Sequence, residues 1–331
     1  MSITIMKAGI LDSLQDEGRF GFASMGINPG GAMDRFAAAT ANFLVGNAAN
    51  AAVIEMHFPA MQALFRQDAL IAICGADFMP TCHDEEIPSW QPVMVKRNAL
   101  LHFQKWRWGA RAYLAVHGGF DTIIWLDSNS TNLKAGAGGH AGRALAKDDV
   151  LKLRKGRVDV FRYLDGGDCR PLHWGVQDRT VYADQGQLLV LPGPEWDYLD
   201  ETSKELFTNN VFTIAPNSDR MGYRMSGQPL HSTRSVEMIS SGVDYGTIQL
   251  LPDGQLMILM ADHQTTGGYP RIANVIGAHL PKLAQLPPAG EVRFELTNLP
   301  KAELLLFSQM RDLKIIERSC QDHIALLYAR D

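Results

Sequence analysis

The densest group of side chains able to bind or transform a small molecule is Asp262-His263-Gln264-Thr265-Thr266-Gly267-Gly268-Tyr269-Pro270-Arg271. Asp262 and His263 are candidates for proton transfer, and Gln264 and the two threonines offer donors and acceptors. Gly267-Gly268 lets backbone approach a ligand closely, and Tyr269-Pro270 stiffens the exit. The apolar run Gly254–Leu259 leads into the stretch as a buried strand, and Ile272–Ile276 resumes the pattern after it. Polar side chains and Gly-Gly at a strand end suit a binding loop on a rigid scaffold. A hairpin whose Thr and Gln side chains cap their own backbone is the alternative.

The elements that must position this stretch are mainly strands. Between Val53 and Leu153, short apolar runs (Leu70–Cys74, Tyr113–Val116, Ile123–Leu126) recur between turn residues about every ten positions, the spacing of sandwiches and barrels. Ile3, Ile5 and Lys7 alternate like a strand, and Leu188–Leu191 and Phe212–Ala215 read as strands in the second half. One cassette appears three times: Val95–Phe103, Leu145–Leu153 and Leu286–Phe294, each an apolar residue, a polar turn and an alternating strand. Helices are few. Asp34 can cap one whose face carries Phe36, Thr40, Phe43 and Leu44, ending at Gly46-Asn47. Glu201–Asn209 is a second, and Ala302–Ile316 is an amphipathic third that packs on the barrels. Charge rises and periodicity fades between Lys155 and Leu188, which separates a first unit, 1–180, from a second, 181–331.

Bulk properties exclude several classes. The 331 residues can bury a sizeable core, and a net charge of -5 argues against a nucleic-acid partner. No apolar run reaches the roughly 18 residues of a membrane span, and the opening Met-Ser-Ile-Thr-Ile-Met-Lys lacks an apolar signal region. Cys74, Cys82, Cys169 and Cys320 form no C-x-x-C pair, so the expectation is a reduced, cytoplasmic chain without a zinc site. The ten histidines never fall at i, i+2 or i, i+4, which leaves a local metal site unsupported; His57 and His117 read as structural. There is no phosphate-binding G-x-x-x-x-G-K-[ST], no G-x-S-x-G elbow and no Ala-Met-Lys-Met biotin attachment site. Gly136–Arg143 is glycine-rich but lacks a β-α-β setting. Its Gly138, Gly139 and Arg143 could instead converge as an anion nest.

Taken together, the polar islands resemble the allophanate-hydrolase-subunit-2 family. The match runs through Gln15-Asp16-Glu17-Gly18-Arg19-Phe20-Gly21, Gly30-Gly31-Ala32-Met33-Asp34 and Ala41-Asn42-Phe43-Leu44-Val45-Gly46-Asn47. It continues through Leu114–Gly119, Gly138–Arg143, Pro192-Gly193-Pro194-Glu195, Ser218–Gly222 and Gln264–Pro270, covering roughly residues 1 to 300. Asp127, where a Gly usually precedes Ser128, and Ser241, where an acidic residue is usual before Gly242, depart from the pattern.

The resemblance implies a mainly β chain of two cyclophilin-like β-barrel units with a few short helices. The family includes the biotin-dependent carboxyltransferase part of urea carboxylase and the C subunit of bacterial ATP-dependent 5-oxoprolinase. The latter implies partners, a B-subunit homologue and an A subunit, with ATP as the implied cofactor. The implied reaction opens 5-oxoproline to glutamate, driven by ATP because a five-membered lactam is a poor electrophile. Alternatives within the family are carboxyl transfer to a urea-like amide and a non-catalytic regulator that binds a kinase-inhibitor homologue. For a substrate bearing a carboxylate, Arg220 and Arg271 are the expected anchors, with surface ion pairs as the bland alternative. Gln264, Thr265, Thr266, Gly267 and Gly268 would bond the lactam or an oxyanion, and Tyr269 would wall the pocket. Asp16, Arg19 and Asp34 are expected to hold the long first loop together by ion pairing.

Overall fold

The structure is a computed structural model that describes residues 2–154, 167–177, 179–184, 186–234 and 238–328. It divides into two compact units, one of residues 1–18, 34–179 and 311–331, the other of residues 19–33 and 180–310. Residues 155–166, the start of the charged stretch that reads as a boundary, lie outside the described residues.

The first unit opens with β1 (Ser2–Lys7), β2 (Ser13–Gln15) and helix α1 (Arg35–Leu44). Strands β3 (Val53–Met56), β4 (Gln62–Phe65), β5 (Ala69–Asp77), β6 (Pro80–Cys82), β7 (Glu85–Glu86) and β8 (Pro92–Val95) follow. It closes with β9 (Leu100–Phe103), β10 (Trp108–Val116), β11 (Val150–Lys152) and β12 (Cys169–Pro171). These make two six-stranded sheets, ordered β11-β1-β4-β9-β6-β7 and β12-β8-β5-β10-β3-β2. Ile3, Ile5, Phe65, Ile71, Ile73, Leu101 and Leu114 fill the core between them.

Helix α1 starts where the sequence predicts, with the Asp34 carboxylate accepting from Ala37 N at 2.9 Å. Every residue from Phe36 to Leu44 is buried, so the helix is a core element and not a one-faced surface helix. Asn47 past its end donates to Val116 O and accepts from Gly118 N, both at 2.8 Å. Two of the polar islands, Ala41–Asn47 and Leu114–Gly119, are therefore two sides of one joint.

The second unit contains β13 (Gln187–Pro192), α2 (Glu201–Asn209, capped by Asp200), β14 (Phe212–Ile214), β15 (Gly222–Ser226) and β16 (Ser241–Gly242). It continues with β17 (Thr247–Leu250), β18 (Leu256–Leu259), β19 (Thr266–Gly267), β20 (Arg271–Val275), α3 (Leu280–Ala284) and β21 (Glu291–Leu296). Seven strands close a barrel in the order β13-β20-β17-β18-β15-β14-β21, filled by Leu188, Val190, Phe207, Phe212, Met225, Ile248, Ile258 and Phe294. The molecule is mainly β, as read from the sequence.

The three cassettes are the same turn. Asn98, Asp148 and Ala289, each the fourth residue of its copy, have φ of 72°, 72° and 63°. In each copy residue 4 donates to the carbonyl of a neighbour (Phe65, Ile5 or Ile214), and the neighbour's own N–H returns to the carbonyl of residue 5. Residue 5 also donates to the carbonyl of residue 2. The apolar residues at positions 1, 7 and 9 are buried in all three copies. The same geometry occurs in both units, and what repeats at positions 1, 7 and 9 is burial of an apolar side chain, not its identity.

Three expectations need correction. The last helix, α4 (Leu299–Tyr328), is 30 residues long, not short, and runs well past Ile316. Leu304, Phe307, Met310 and Ile315 on it are exposed, so only part of its apolar surface packs. Ile123–Leu126 is not a strand. Ile123 and Ile124 are 57% and 61% exposed, the segment makes only isolated bridges, and Leu126 and Asp127 have φ of 50° and 58°. That left-handed backbone is one glycine favours, and Asp tolerates it better than most other residues. Finally, the cysteines are not all reduced. Cys82 and Cys169 are joined across the two sheets, while Cys74 and Cys320 are free and buried. Cys82 and Cys169 are 87 residues apart in sequence, a pairing that spacing rules cannot anticipate.

Candidate functional site

In the second unit, the stretch Asp262–Arg271 runs from the end of β18 to the start of β20. Its middle forms a small ladder with β16, in which Ser241 lies opposite Gly267 and Gly242 opposite Thr266. Val243 N donates to Thr265 O at 3.2 Å and Met238 N to Gly268 O at 3.0 Å. Gln264 and Thr266 face solvent, Thr265 is half-buried, and Tyr269 is 38% exposed. The loop is thus a braced surface feature with Gln264, Thr266 and Tyr269 outward. It is not a tight hairpin: β17 lies between β18 and β20 in the barrel, so the stretch crosses over that strand, with Gln264 and Thr266 exposed.

Each end of the loop is clamped by an arginine. Arg220, 4% exposed, forms a two-pronged pair with Asp262: Nε to Oδ2 at 2.8 Å and Nη2 to Oδ1 at 3.0 Å. Its Nη2 also donates to Gly31 O at 2.7 Å, and Asp262 N returns to Arg220 O at 2.8 Å. Arg271 pairs with Glu195 through Nε and Nη2, at 3.0 and 2.9 Å, and its Nη1 donates to Gly242 O at 3.0 Å. Gly193 permits this second clamp, because a Cβ there would lie 2.0 Å from Arg271 O. The side-chain hydrogen bond from Arg271 holds the Glu195 carboxyl below the usual carboxylate range, against the opposing effect of burial. The Arg271 guanidinium is raised by the same bond.

Both arginines expected to anchor a substrate carboxylate therefore already hold a carboxylate of this chain, with the donor geometry such an anchor would use. His263 is buried, with Nδ1 2.5 Å from Gln264 O. The first-loop segment belongs to the same unit: Arg19 is buried, its N–H donates to Pro29 O at 2.7 Å, and Tyr245 Oη donates to Met33 O at 3.0 Å. The islands 30–33, 192–195, 218–222 and 262–271 are one interlocking arrangement around the Gln264–Tyr269 rim. Glu195 and Tyr245 belong to it although sequence reasoning named neither as a site residue. The pairing of Pro192–Glu195 with Arg271 had a signal, since each lies in or beside one of the polar islands.

The other candidate residues sit in the first unit and do a different job. The Asp16 carboxylate accepts from Gly18 N, Ser128 Oγ, Ser130 Oγ and the backbone and side-chain nitrogens of Asn129. Asp16 ties the 128–130 segment to the first loop. Near Gly138 and Gly139 the loop closes on itself, Gly142 N donating to Gly138 O at 2.9 Å. Arg143 turns to Asp149, with both contacts at 2.7 Å, and that bond, the largest influence on it, lowers the Asp149 carboxyl to about 2.

These observations also test the fit of ATP. Among the described residues, the guanidinium forks of Arg143, Arg220 and Arg271 are closed by Asp149, Asp262 and Glu195. The sequence has no glycine-lysine phosphate loop. These three forks are therefore not open to a triphosphate.

Comparison with known proteins gives the family. The carboxyltransferase domain family, subdomains A and B, matches residues 25–296. The chain belongs to that family. It is 36% identical to the 5-oxoprolinase C subunit of Escherichia coli, over 91% of its own length and 93% of that protein's. The C subunit of Haemophilus influenzae 5-oxoprolinase is also 36% identical, over 92% of this chain and 94% of that one. The crystal structure of the K. lactis urea amidolyase superposes with a TM-score of 0.86 at 28% identity, covering 95% of this chain and 20% of that one. The family's fold, inferred from the sequence islands, is the fold observed. No helix among the described residues is long and apolar enough to cross a membrane.

Proposed function

We propose that this chain is the C subunit of a cytoplasmic ATP-dependent 5-oxoprolinase, opening 5-oxoproline to L-glutamate together with A and B subunits. The observation that carries this reading is 36% identity sustained over nearly the whole length of both this chain and its Escherichia coli relative. In this reading the Gln264–Tyr269 rim binds the lactam. Gln264, Thr265 and Thr266 supply hydrogen bonds to its amide, and Tyr269 covers one side. Arg220 and Arg271 keep the rim in place through Asp262 and Glu195, and His263 fixes its first turn. ATP is held by the partner subunits, in keeping with the occupied arginine forks here.

The test is reconstitution with the A and B subunits, following 5-oxoproline-dependent ADP release. Turnover with all three, and none when this chain is omitted, is the expected result; an inactive three-part assembly sinks the reading. Carboxyl transfer is the second reading, supported by the family match and the urea amidolyase superposition. It is favoured instead if the chain consumes carboxybiotin in the presence of urea and ignores 5-oxoproline.

A further inference from the structure

Gln249 lies on β17, inside the second unit and directly behind the rim. It is 1% exposed, and its Nε2 is buried without a hydrogen-bond partner. Such a donor is costly to leave unsatisfied, and native chains seldom retain one without a use. Its surroundings give it one. A Cβ at Gly267 would come within 2.4 Å of Nε2, so the Gln249 carboxamide presses against the rim where only glycine fits. The pairing of β17 with β20 changes register between Ile248 and Gln249, from Ile248↔Ala273 to Gln249↔Arg271. Such an irregularity re-aims a side chain, and it falls here beside the Arg271 clamp. On the other strand neighbour, Gln249 lies opposite Met257, an apolar residue that cannot take up the amide's hydrogen bonds.

We propose that Gln249 is a substrate-reading residue of this site, donating from Nε2 to the carbonyl oxygen of a small amide that enters as Gly267 gives way. This rests on the reading of the rim as a lactam site and deepens it. A carboxamide carries a donor and an acceptor on one edge, the complement of the adjacent C=O and N–H of a five-membered lactam. The ring-opened product has no such edge, so the residue selects lactam over glutamate. Gly267 seals the donor from water in the free chain, and its missing side chain lets the ligand displace it.

The proposal separates from a structural role by sign. A glutamine that serves packing or internal bonding destabilises the chain when replaced; one held ready for ligand does not. Gln249→Leu and Gln249→Glu are compared with wild type for melting temperature of the full chain and for KM and kcat of the assembly with A and B subunits. Gln249→Leu is expected to melt at or above the wild-type temperature while KM for 5-oxoproline rises at least tenfold and kcat changes less. Gln249→Glu, which puts an acceptor where the donor was, is expected to raise KM further. A melting temperature several degrees lower for Gln249→Leu, or an unchanged KM in both variants, overturns the proposal. If the wild-type assembly has no turnover, the functional reading falls. The Gln249 proposal, which rests on it, then falls too, whereas wild-type turnover with unchanged KM in both variants overturns the Gln249 proposal alone.

Discussion

Asp12 is the most strongly perturbed carboxyl with a definite value, and its effect on stability has an unusual sign. Burial raises it from 3.8 to about 7, although Gly9 N–H donates to Oδ2 at 2.9 Å. A carboxyl raised in the folded state binds its proton more tightly there. Its favourable contribution is complete below pH 3.8 and is lost as pH rises through about 7. Asp12→Asn keeps an oxygen for Gly9 and removes the titration. The variant should match wild type near pH 4 and exceed it at pH 8 by about 2–4 kcal/mol, from ~1.4 kcal/mol per unit. Urea unfolding at the two pH values measures this, and an equal offset at both refutes it. Glu195 acts oppositely: its carboxyl is lowered by Arg271, so its contribution is present above the ordinary carboxylate range and lost on acidification. Glu195→Gln should cost about 1–3 kcal/mol at pH 7, less at pH 3, and weaken substrate binding by loosening the rim. Unfolding midpoints at the two pH values, with KM alongside, check it.

At the level of elements, the repeated turn offers a controlled comparison. Asn98, Asp148 and Ala289 share one left-handed backbone and one hydrogen-bond pattern, but their tolerance of that backbone differs. Asn and Asp visit it with modest cost, whereas Ala bears the full Cβ clash of ~1–2 kcal/mol, partly offset in glycine by greater unfolded-chain entropy. Ala289→Gly should therefore stabilise the second unit by about 0.5–1 kcal/mol, and Asn98→Gly and Asp148→Gly should change little. Thermal melts of the three variants decide it. The turn was legible because its buried positions 1, 7 and 9 repeat even where the residues differ. Helix α1 was legible from Asp34 and the spacing of its apolar residues. The polar islands were legible as a set, because each is a partner in a local joint: Asn47 with Gly118, Glu195 with Arg271, Arg220 with Asp262. What a sequence conceals is which charges are mutually consumed. Arg220 and Arg271 look like free anchors until their carboxylates are found 42 and 76 residues away. Gln249 gave no signal either, since Thr247 and Gln249 alternating with Ile248 and Leu250 resemble any barrel strand.

At the scale of the whole molecule, each unit has its own large hydrophobic core, and the described residues hold one covalent cross-link. The cluster around Ile3, Ile71 and Leu114 lies wholly in the first unit, and that around Val190, Ile258 and Phe294 wholly in the second. Cys82 and Cys169 both belong to the first. Their bond joins β6 of one sheet to β12, the end strand of the other. β12 is three residues long and, among the described strands, pairs with β8 alone, the pairing being extended by Lys96 N–H to Asp168 O and Leu172 N–H to Pro92 O. Closing a loop over a sequence separation of 87 residues removes unfolded-state freedom equivalent to about 4–5 kcal/mol in the chain-entropy picture. Reduction, or Cys169→Ser, should therefore lower the melting transition of the first unit by several degrees and leave that of the second in place. Calorimetry with and without a dithiol reductant reads both. Two transitions of which one moves support independent units. A single transition that moves as a whole shows that the two cores unfold together, and no movement at all shows that the cross-link does not constrain the unfolded chain.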